Sequence, residues 1–228
     1  MIGLARSVFE KNPNTYIIVE AHYHQVTQFF ELLGIRADRI IVIGHGEDIF
    51  VKKLHLTYFM ICGLQSVEIT RATRKWVRDR HPSLYSSVIN KTDIIVLHRS
   101  ESGCKRCLRN SNEIANGLRV AFPERKVILF VAGSMSVYEQ MKIVCNAEVF
   151  VAPHGAGLTN LIFLPDGASV VEIHNHPDYI SEVYYELSIA LDYKYRGIAP
   201  KRTSERTVDF SLADIPHVVE TVKEVLTI

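Results

Sequence analysis

The stretch that decides the fold of this chain is Val149-Phe150-Val151-Ala152-Pro153-His154-Gly155-Ala156-Gly157-Leu158-Thr159-Asn160. Its first four residues form an apolar, β-branched run, which predicts a buried strand. Two glycines then mark a tight turn, and the apolar run that follows stops at Pro165-Asp166-Gly167, which predicts a short helix. A strand, a turn and a helix in this order are the building unit of a parallel α/β sheet.

Strands and helices of the same kind alternate along the rest of the chain. Further buried strands are predicted at residues 16–20, 39–43, 93–99, 126–132, 169–174 and 193–198. Amphipathic helices are predicted at residues 25–33, 136–147, 179–191 and 213–227. The alternation predicts an α/β fold with an open, doubly wound sheet of parallel strands flanked by helices.

A change of composition between residues 47 and 91 divides the chain into two parts. The run 48–59 is rich in apolar residues without a clear helical period, and a basic, polar stretch follows at 70–91. We therefore predict an incomplete N-terminal α/β unit with its connection at 1–82 and a Rossmann-like domain at 83–228. The basic stretch is either an amphipathic surface helix packed by Trp76 and Val77 or a face that steers phosphate. Its cations are Arg71, Arg74, Lys75, Arg78 and Arg80.

Composition excludes several classes of protein. With 228 residues, 47% hydrophobic and 22% charged, the chain is ordinary for a globular protein with a substantial core. A formal net charge of +1 gives no field that would attract nucleic acid or an anionic membrane. No apolar run is long enough to span a bilayer, so we expect no membrane contact from this segment. Residues 1–14 lack the apolar run and small residues of a signal peptide.

The four cysteines do not form a zinc site by their spacing. Cys104 and Cys107 are a C-x-x-C pair, but Cys62 and Cys145 are isolated, so a second ligand pair is missing. The pair follows a predicted strand, yet the Arg, Lys and Ser around it do not complete a thioredoxin-like motif. For Cys104 and Cys107 we favour free thiols or a local disulfide, and metal binding or redox catalysis is the third hypothesis.

The turn after residue 152 is the first candidate site. Glycine lets a backbone approach a ligand closely, and the free N–H groups that open a helix attract phosphate. The turn also lies at the carboxyl end of a parallel strand, where open α/β sheets bind their ligands. His154 could donate to a phosphate oxygen or orient a sugar. The alternative is a plain strand-to-helix turn whose glycines serve packing.

Arginines follow another predicted strand of the same sheet. Arg99 ends the strand at 93–99, and Arg106 lies in the polar loop behind it. A guanidinium at a strand tip faces the same crevice as the glycine turn, and its planar fork suits a diphosphate. The alternative for Arg99 is a surface ion pair with Glu101.

Three other polar groups interrupt apolar segments. Glu172 lies in an apolar strand, where a carboxylate needs a specific partner, either ribose hydroxyls or an ion pair within the protein. His174 and His176 have metal-ligand spacing without an evident third ligand, so a solvated loop is favoured over a metal site. The cluster 20–24, with Glu20, His22 and His24, could supply a general base or cap the following helix.

Together, several of these segments resemble glycosyltransferase family 61. The similarity covers roughly residues 15–200, and its most specific signal is the H-G-A-G-L-T-N run beginning at His154. The family includes plant β-1,2-xylosyltransferase and the animal enzymes that add N-acetylglucosamine to EGF-like domains or to O-mannose. The segments that carry the resemblance are Glu139-Gln140, Ala147 through Pro165, Val171-Glu172-Ile173, the strand ending at Arg99 with its basic loop, and Phe29-Phe30-Glu31-Leu32-Leu33-Gly34-Ile35 followed by Asp38-Arg39-Ile40.

The resemblance implies an inverting transferase of GT-B architecture that takes a UDP-sugar of the xylose or N-acetylglucosamine class. It implies that no metal is required, and the sequence contains no D-x-D triplet. The implied acceptor is a protein-linked glycan or hydroxyl, and the implied location is the Golgi or endoplasmic reticulum lumen. By position, Arg99 and Arg106 would neutralise the diphosphate, and Glu172 would contact the nucleoside. The turn that would bind the diphosphate comprises His154, Gly155, Ala156, Gly157, Leu158, Thr159 and Asn160.

Two departures from the family pattern leave other functions open. Only about 80 residues precede the predicted C-terminal domain, and Gly103-Cys104 is inserted before Lys105-Arg106. A non-catalytic or truncated nucleotide-sugar-binding protein is therefore one alternative. A nucleotide-sugar epimerase is another, because that chemistry also uses facing Rossmann-like domains, although it needs acidic residues converging on the sugar.

Overall fold

A computed structural model describes residues 2–19, 24–55, 66–85, 91–99, 108–174, 181–199, 201–204, 207–209 and 212–227. Its main body is a parallel sheet of five strands, as the alternating pattern predicts. In chain order they are β3 (Asp93–Leu97), β4 (Val127–Phe130), β5 (Ala147–Pro153), β6 (Ser169–Ile173) and β7 (Lys194–Ile198). The prediction of a GT-B-like, Rossmann-type parallel sheet flanked by helices is confirmed.

The order of the strands across this sheet creates a crevice. The spatial order is β4-β3-β5-β6-β7, so the chain first adds β4 on one side of β3 and then returns to add β5 on the other. The loop after β3 and the loop after β5 therefore lead to helices on opposite faces of the sheet, and a gap opens between them. Open α/β sheets bind ligands at the carboxyl ends of the strands at such a switch point.

Helices cover both faces of the sheet. On one face α5 (Ser111–Ala121) and α8 (Ile215–Thr227) bury the side chains of Ile94 and Val96 from β3. The opposite face buries Ile95 and Leu97, because successive side chains of a strand point to opposite sides. This second face is covered by α3 (Val67–Arg80), α6 (Val137–Val144), the 3₁₀ helix Ala156–Phe163 and α7 (Val183–Ala190).

The N-terminal part is smaller and shares its core with the large sheet. Strands β1 (Ile17–Val19) and β2 (Ile40–Val42) pair in parallel, and α2 (His24–Leu32) lies between them in the chain. Helix α1 (Ile2–Lys11) packs on α3, and the short helix α4 (Pro82–Tyr85) follows α3 in the chain. One apolar cluster contains Phe9, Leu33, Trp76 and Phe150. The boundary near residue 82 stays a prediction, since apolar packing is continuous across it.

Several elements differ from the sequence prediction. Helices α1 and α5 are additional, and so is the antiparallel pair β8 (Lys201–Ser204) and β9 (Thr207–Asp209). The helix after the glycine turn has 3₁₀ geometry, which is tighter than an α-helix. The basic stretch 70–80 lies on α3 with Trp76 and Val77 buried, which fits the amphipathic helix. In the described ranges no helix combines the length and apolar character needed to cross a membrane.

Candidate functional site

A cavity of about 990 Å³ opens at the switch point between β3 and β5. The ends of β3 and β4, the 3₁₀ helix and α6 form one side, and α2 and α3 form the other. Polar groups line the sheet side, whereas apolar side chains dominate on α2. The residues that decide its chemistry are His98, Arg99, Ser134, Gln140, Ala156, Gly157, Thr159, Asn160, Val26 and Phe29.

The glycine turn brings backbone to this cavity. Gly155 has φ of 144°, a conformation that residues with a side chain rarely adopt, and it caps the 3₁₀ helix that follows. A methyl group built on Gly157 would overlap Cδ2 of the buried Leu97, so an alanine here would force the helix or the Leu97 side chain to move. Leu158 donates its N–H to the carbonyl of Gly155, at 2.9 Å. Within the described ranges, the N–H groups of Ala156 and Gly157 have no backbone acceptor, and both residues line the cavity.

Arg99 faces the same cavity from the end of β3. Its Nη1 atom is buried and has no hydrogen-bond partner within the described ranges. A buried guanidinium nitrogen without a partner is costly, and an anionic ligand would satisfy it. Among the lining residues that the structure describes, Arg99 alone carries a fixed charge. The cavity is therefore suited to an anion, and it joins Arg99 to the turn as the sequence predicts.

Thr159 and Asn160 shape the turn with their side-chain donors. The Thr159 hydroxyl donates to the carbonyl of Ala156 at 2.7 Å. The Asn160 amide donates to the side-chain oxygen of Gln140 and to the carbonyl of Gly157, both at 3.0 Å. Because these donors already have acceptors within the protein, the backbone amides are the donors that the turn offers to a ligand. Gly155 and Leu158, in contrast, are buried beneath them.

His154 and Glu172 form a hydrogen-bonded pair at the neighbouring strand ends. Nδ1 of His154 lies 2.5 Å from Oε1 of Glu172, whose side chain is fully buried. Tyr195 donates its hydroxyl to Oε2 of the same carboxylate at 2.7 Å, and burial raises the pKa of this tyrosine. Glu172 therefore has no exposed atom with which to meet a nucleoside directly. The predicted contact between Glu172 and the nucleoside therefore stays a prediction that this burial does not favour, while the side chain of its partner His154 is 18% exposed.

His154, Glu172 and a third residue, His174, are three potential metal ligands that lie close together. Nδ1 of His174 lies 3.9 Å from the same oxygen of Glu172, and the ligand atoms of the three residues all lie within 4.8 Å of one another. Two ligands on one tetrahedral zinc ion would stand about 3.3 Å apart, from bond lengths of about 2.0 Å. The 2.5 Å separation of His154 and Glu172 fits a shared hydrogen, not a shared ion. Burial lowers the pKa of His174, an effect that Glu172 opposes and His154 supports.

His98 is a cavity residue that the sequence did not single out. It precedes Arg99, lines the cavity, and its Nδ1 lies 2.6 Å from the hydroxyl of Ser111 at the start of α5. Its position at a predicted strand end was a usable signal. Other predicted groups fall outside the described residues: Arg106, the Cys104–Cys107 pair, His176, Glu20 and His22.

The basic residues of α3 bind acidic groups and carbonyls within the protein. Arg74 and Arg78 both pair with Asp166, and Arg71 pairs with Asp192. The interpretation as a structural, amphipathic helix therefore fits better than a phosphate-steering face. These contacts hold the loop behind the 3₁₀ helix against α3, because Arg78 also donates to the carbonyl of Leu164.

Comparison with known proteins agrees with the geometry. The family model for glycosyltransferase 61 matches residues 12–171. The EGF domain-specific O-linked N-acetylglucosamine transferase of Rattus norvegicus is 34% identical over 121 residues, which is 52% of this chain and 23% of that protein. The protein of the same name from Gallus gallus is 39% identical over 89 residues, which is 39% of this chain and 16% of that protein.

The matched segments thus span less than a quarter of the length of these curated relatives. The family match covers well over half of the present chain and includes Arg99, the glycine turn and the first half of β6. The chain belongs to glycosyltransferase family 61.

Proposed function

We propose that the cavity between β3 and β5 binds the diphosphate of a nucleotide sugar and that the protein transfers the sugar to an acceptor hydroxyl. The observation that carries this proposal is that one cavity is lined by Arg99, whose buried Nη1 has no partner among the described residues, and by Ala156 and Gly157 at the start of the 3₁₀ helix. A guanidinium and helix-opening amides are the groups that proteins use to hold phosphate. Family membership supplies the reaction class.

The transfer places charge where these groups lie. An acceptor oxygen attacks the anomeric carbon and forms the new C–O bond, while the bond to the diphosphate breaks and its electron pair leaves with the diphosphate. Arg99 and the turn amides stabilise the negative charge that grows on the leaving group, and their fixed positions require no reorganisation. The acceptor proton passes to a base. Attack from the face opposite the leaving group inverts the anomeric centre.

The donor and acceptor classes follow from the relatives. The two relatives named above are called EGF domain-specific O-linked N-acetylglucosamine transferases. We propose UDP-N-acetylglucosamine or a UDP-xylose-class donor for this chain, without a required metal, and a protein-linked glycan or hydroxyl as acceptor. We place the reaction in the Golgi or endoplasmic reticulum lumen, as the family resemblance implies. Arg106 joins Arg99 at the diphosphate in this proposal.

Calorimetric titration of the full chain with UDP, UDP-N-acetylglucosamine and GDP tests the donor site. We expect UDP to bind and Arg99→Ala to weaken it by about 1.5–3 kcal/mol, the range for hydrogen bonds to charged groups. Arg36→Ala is the matched control, because Arg36 is exposed, pairs with Asp38 and is not among the described residues that line the cavity. An equal effect of the two substitutions, or no binding of any nucleoside diphosphate, contradicts the proposal.

Binding without transfer is the second candidate function. It is favoured by the cavity lining, which holds no carboxylate among its described residues. Incubation with radiolabelled UDP-N-acetylglucosamine and an EGF-like domain separates the two. Labelled acceptor supports transfer, and tight UDP binding with no labelled acceptor or released UDP supports the binding protein.

A further inference from the structure

The fully buried carboxylate of Glu172 lacks a lysine or arginine partner in the described part of the chain. Its surroundings are instead His154, His174 and Tyr195, each of which carries a titratable hydrogen. A buried carboxylate must receive hydrogen bonds, because an unpaired charge in an apolar interior is costly. The positions of the hydrogens in this cluster can therefore be assigned.

Two of the three neighbours are fixed by their surroundings. Burial raises the pKa of Tyr195, so the hydroxyl keeps its hydrogen and donates it to Oε2 of Glu172. His174 lies 3.9 Å from Oε1, beyond the reach of a hydrogen bond. Among the described residues, Nδ1 of His154 at 2.5 Å is the group that can give Oε1 its hydrogen.

This assignment determines what the other ring nitrogen can do. A neutral imidazole carries one hydrogen, so a hydrogen on Nδ1 leaves Nε2 as an acceptor. His154 precedes Gly155 and stands two residues before Ala156, which lines the cavity. It also packs edge-on against Tyr184, with ring centres 5.4 Å apart, and Tyr184 lies one helical turn before the cavity residue Leu187. His154 is not among the described residues that line the cavity, but its side chain is 18% exposed and its backbone leads directly into the turn that does.

We infer that Glu172 is a positioning residue that holds His154 as the Nδ1–H tautomer, so that Nε2 accepts a hydrogen bond from a hydroxyl of the ligand. A phosphate oxygen cannot supply that hydrogen, so the partner is a ribose or sugar hydroxyl. Arg99 and the turn amides hold the diphosphate, and His154 accepts a hydrogen bond from an uncharged hydroxyl next to the diphosphate. The identity of the ligand rests on the proposed donor site, whereas the tautomer does not.

Nitrogen-15 NMR of the histidine rings in the full, ligand-free chain tests the tautomer, at a pH where imidazole is neutral. We expect His154 to show a protonated Nδ1 and a bare Nε2. Glu172→Gln presents an amide that can donate to Nδ1, so the hydrogen should move to Nε2. Tyr195→Phe is the matched control, because it removes the other bond to the carboxylate and leaves Nδ1 protonated. A wild-type spectrum with the hydrogen on Nε2 overturns the inference, even where the variants do not fold.

The recognised group is tested with His154→Asn, whose shorter amide can still donate to Glu172 but lacks Nε2. Titrations with pyrophosphate, UDP and UDP-N-acetylglucosamine separate the possible partners. We expect a loss of about tenfold, the effect of one hydrogen bond, for the nucleotides and none for pyrophosphate. A loss with UDP identifies a ribose hydroxyl, and a loss only with the nucleotide sugar identifies a sugar hydroxyl.

An equal loss with pyrophosphate, or no loss with any ligand, overturns the role given to Nε2. Absence of wild-type binding to all three ligands refutes the donor site itself. The NMR result on the free chain stays decisive for the tautomer in that case, so the two failures are distinguishable.

Discussion

At the scale of one residue, Gly157 affects both packing and ligand access, because it has no Cβ atom. The absence of a side chain lets the 3₁₀ helix lie against Leu97 and leaves the backbone N–H at the cavity. Gly157→Ala should destabilise the fold by about 1–3 kcal/mol, as overpacking of a tight core does. It should also weaken UDP binding, because the helix start must move.

Denaturant unfolding and calorimetry check this substitution together. Gly157→Ala combined with Leu97→Val is the control, since the smaller side chain makes room for the new methyl group. We expect the pair to cost less than the sum of the single changes. Additive costs would show that Leu97 is not the obstacle.

His174 gives a pH dependence of stability whose sign follows from its burial. Burial lowers its pKa below the ordinary value of 6.5, so the unfolded chain binds a proton at a higher pH than the folded chain. Stability is full above about pH 6.5 and is lost as the pH falls toward the folded value, with a slope of at most about 1.4 kcal/mol per unit for one proton.

Unfolding curves between pH 7.5 and 5 measure this slope. His174→Asn should reduce the slope of unfolding free energy against pH by the contribution of this one histidine. A slope that is unchanged in the variant would assign the pH dependence to other groups.

The sequence indicated Arg99 and the glycine turn as one site because each follows a predicted parallel strand. It did not indicate that Glu172 is buried under His154. That contact depends on the register of two neighbouring strands, in which Ala152 lies opposite Glu172. Register is decided by packing across the whole sheet, so the local sequence does not contain it.

At the scale of elements, α6 carries the best local signal for its start. Ser136 accepts a hydrogen bond from the backbone of Glu139, and the Glu139 side chain accepts one from the backbone of Ser136. The side-chain bond from Ser136 lowers the pKa of Glu139. This capping box fixes the end of the helix that brings Gln140 to the cavity.

Ser136→Ala removes one half of the box and should cost about 1 kcal/mol of stability. Denaturant titration measures the loss. Val120→Ala on α5 is the control, because that side chain is 83% exposed and its removal should change stability by less than about 0.5 kcal/mol. Equal effects of the two substitutions would show that the cap contributes nothing.

Helix α5 shows why some elements escape sequence reasoning. Its buried residues Ile114, Ala115 and Leu118 have helical spacing, but Gly117 and Asn116 between them lower the helix propensity. The 3₁₀ geometry after Gly155 was also not predictable, since an apolar run of eight residues fits either helix type. Buried, largely apolar runs, in contrast, marked β3, β4, β5 and β6, because a strand covered on both faces is largely apolar. The edge strand β7 was predicted as well, although most of its residues are polar or exposed.

At the scale of the molecule, the N-terminal unit and the large sheet share an apolar cluster that includes Trp76. Trp76 is the only tryptophan of the chain, and it is 2% exposed. Its fluorescence therefore reports on the packing of α3, while circular dichroism reports on all helices and strands. We expect the two signals to change at the same denaturant concentration, as in cooperative unfolding of one body. An earlier change in fluorescence would show that the N-terminal part unfolds by itself.

The switch point explains why the site lies where it does. Divergence of the connections between β3 and β5 opens the cavity, and the strand ends on either side supply Arg99 and the glycine turn. The central claim is that these groups converge on one anionic ligand. Titration of the nitrogen-15-labelled chain with UDP, followed by NMR, tests it most directly. We expect saturable shifts at the amides of Ala156 and Gly157 and at Nε of Arg99, all with one dissociation constant. Saturable shifts that leave these three nitrogens unchanged would contradict it.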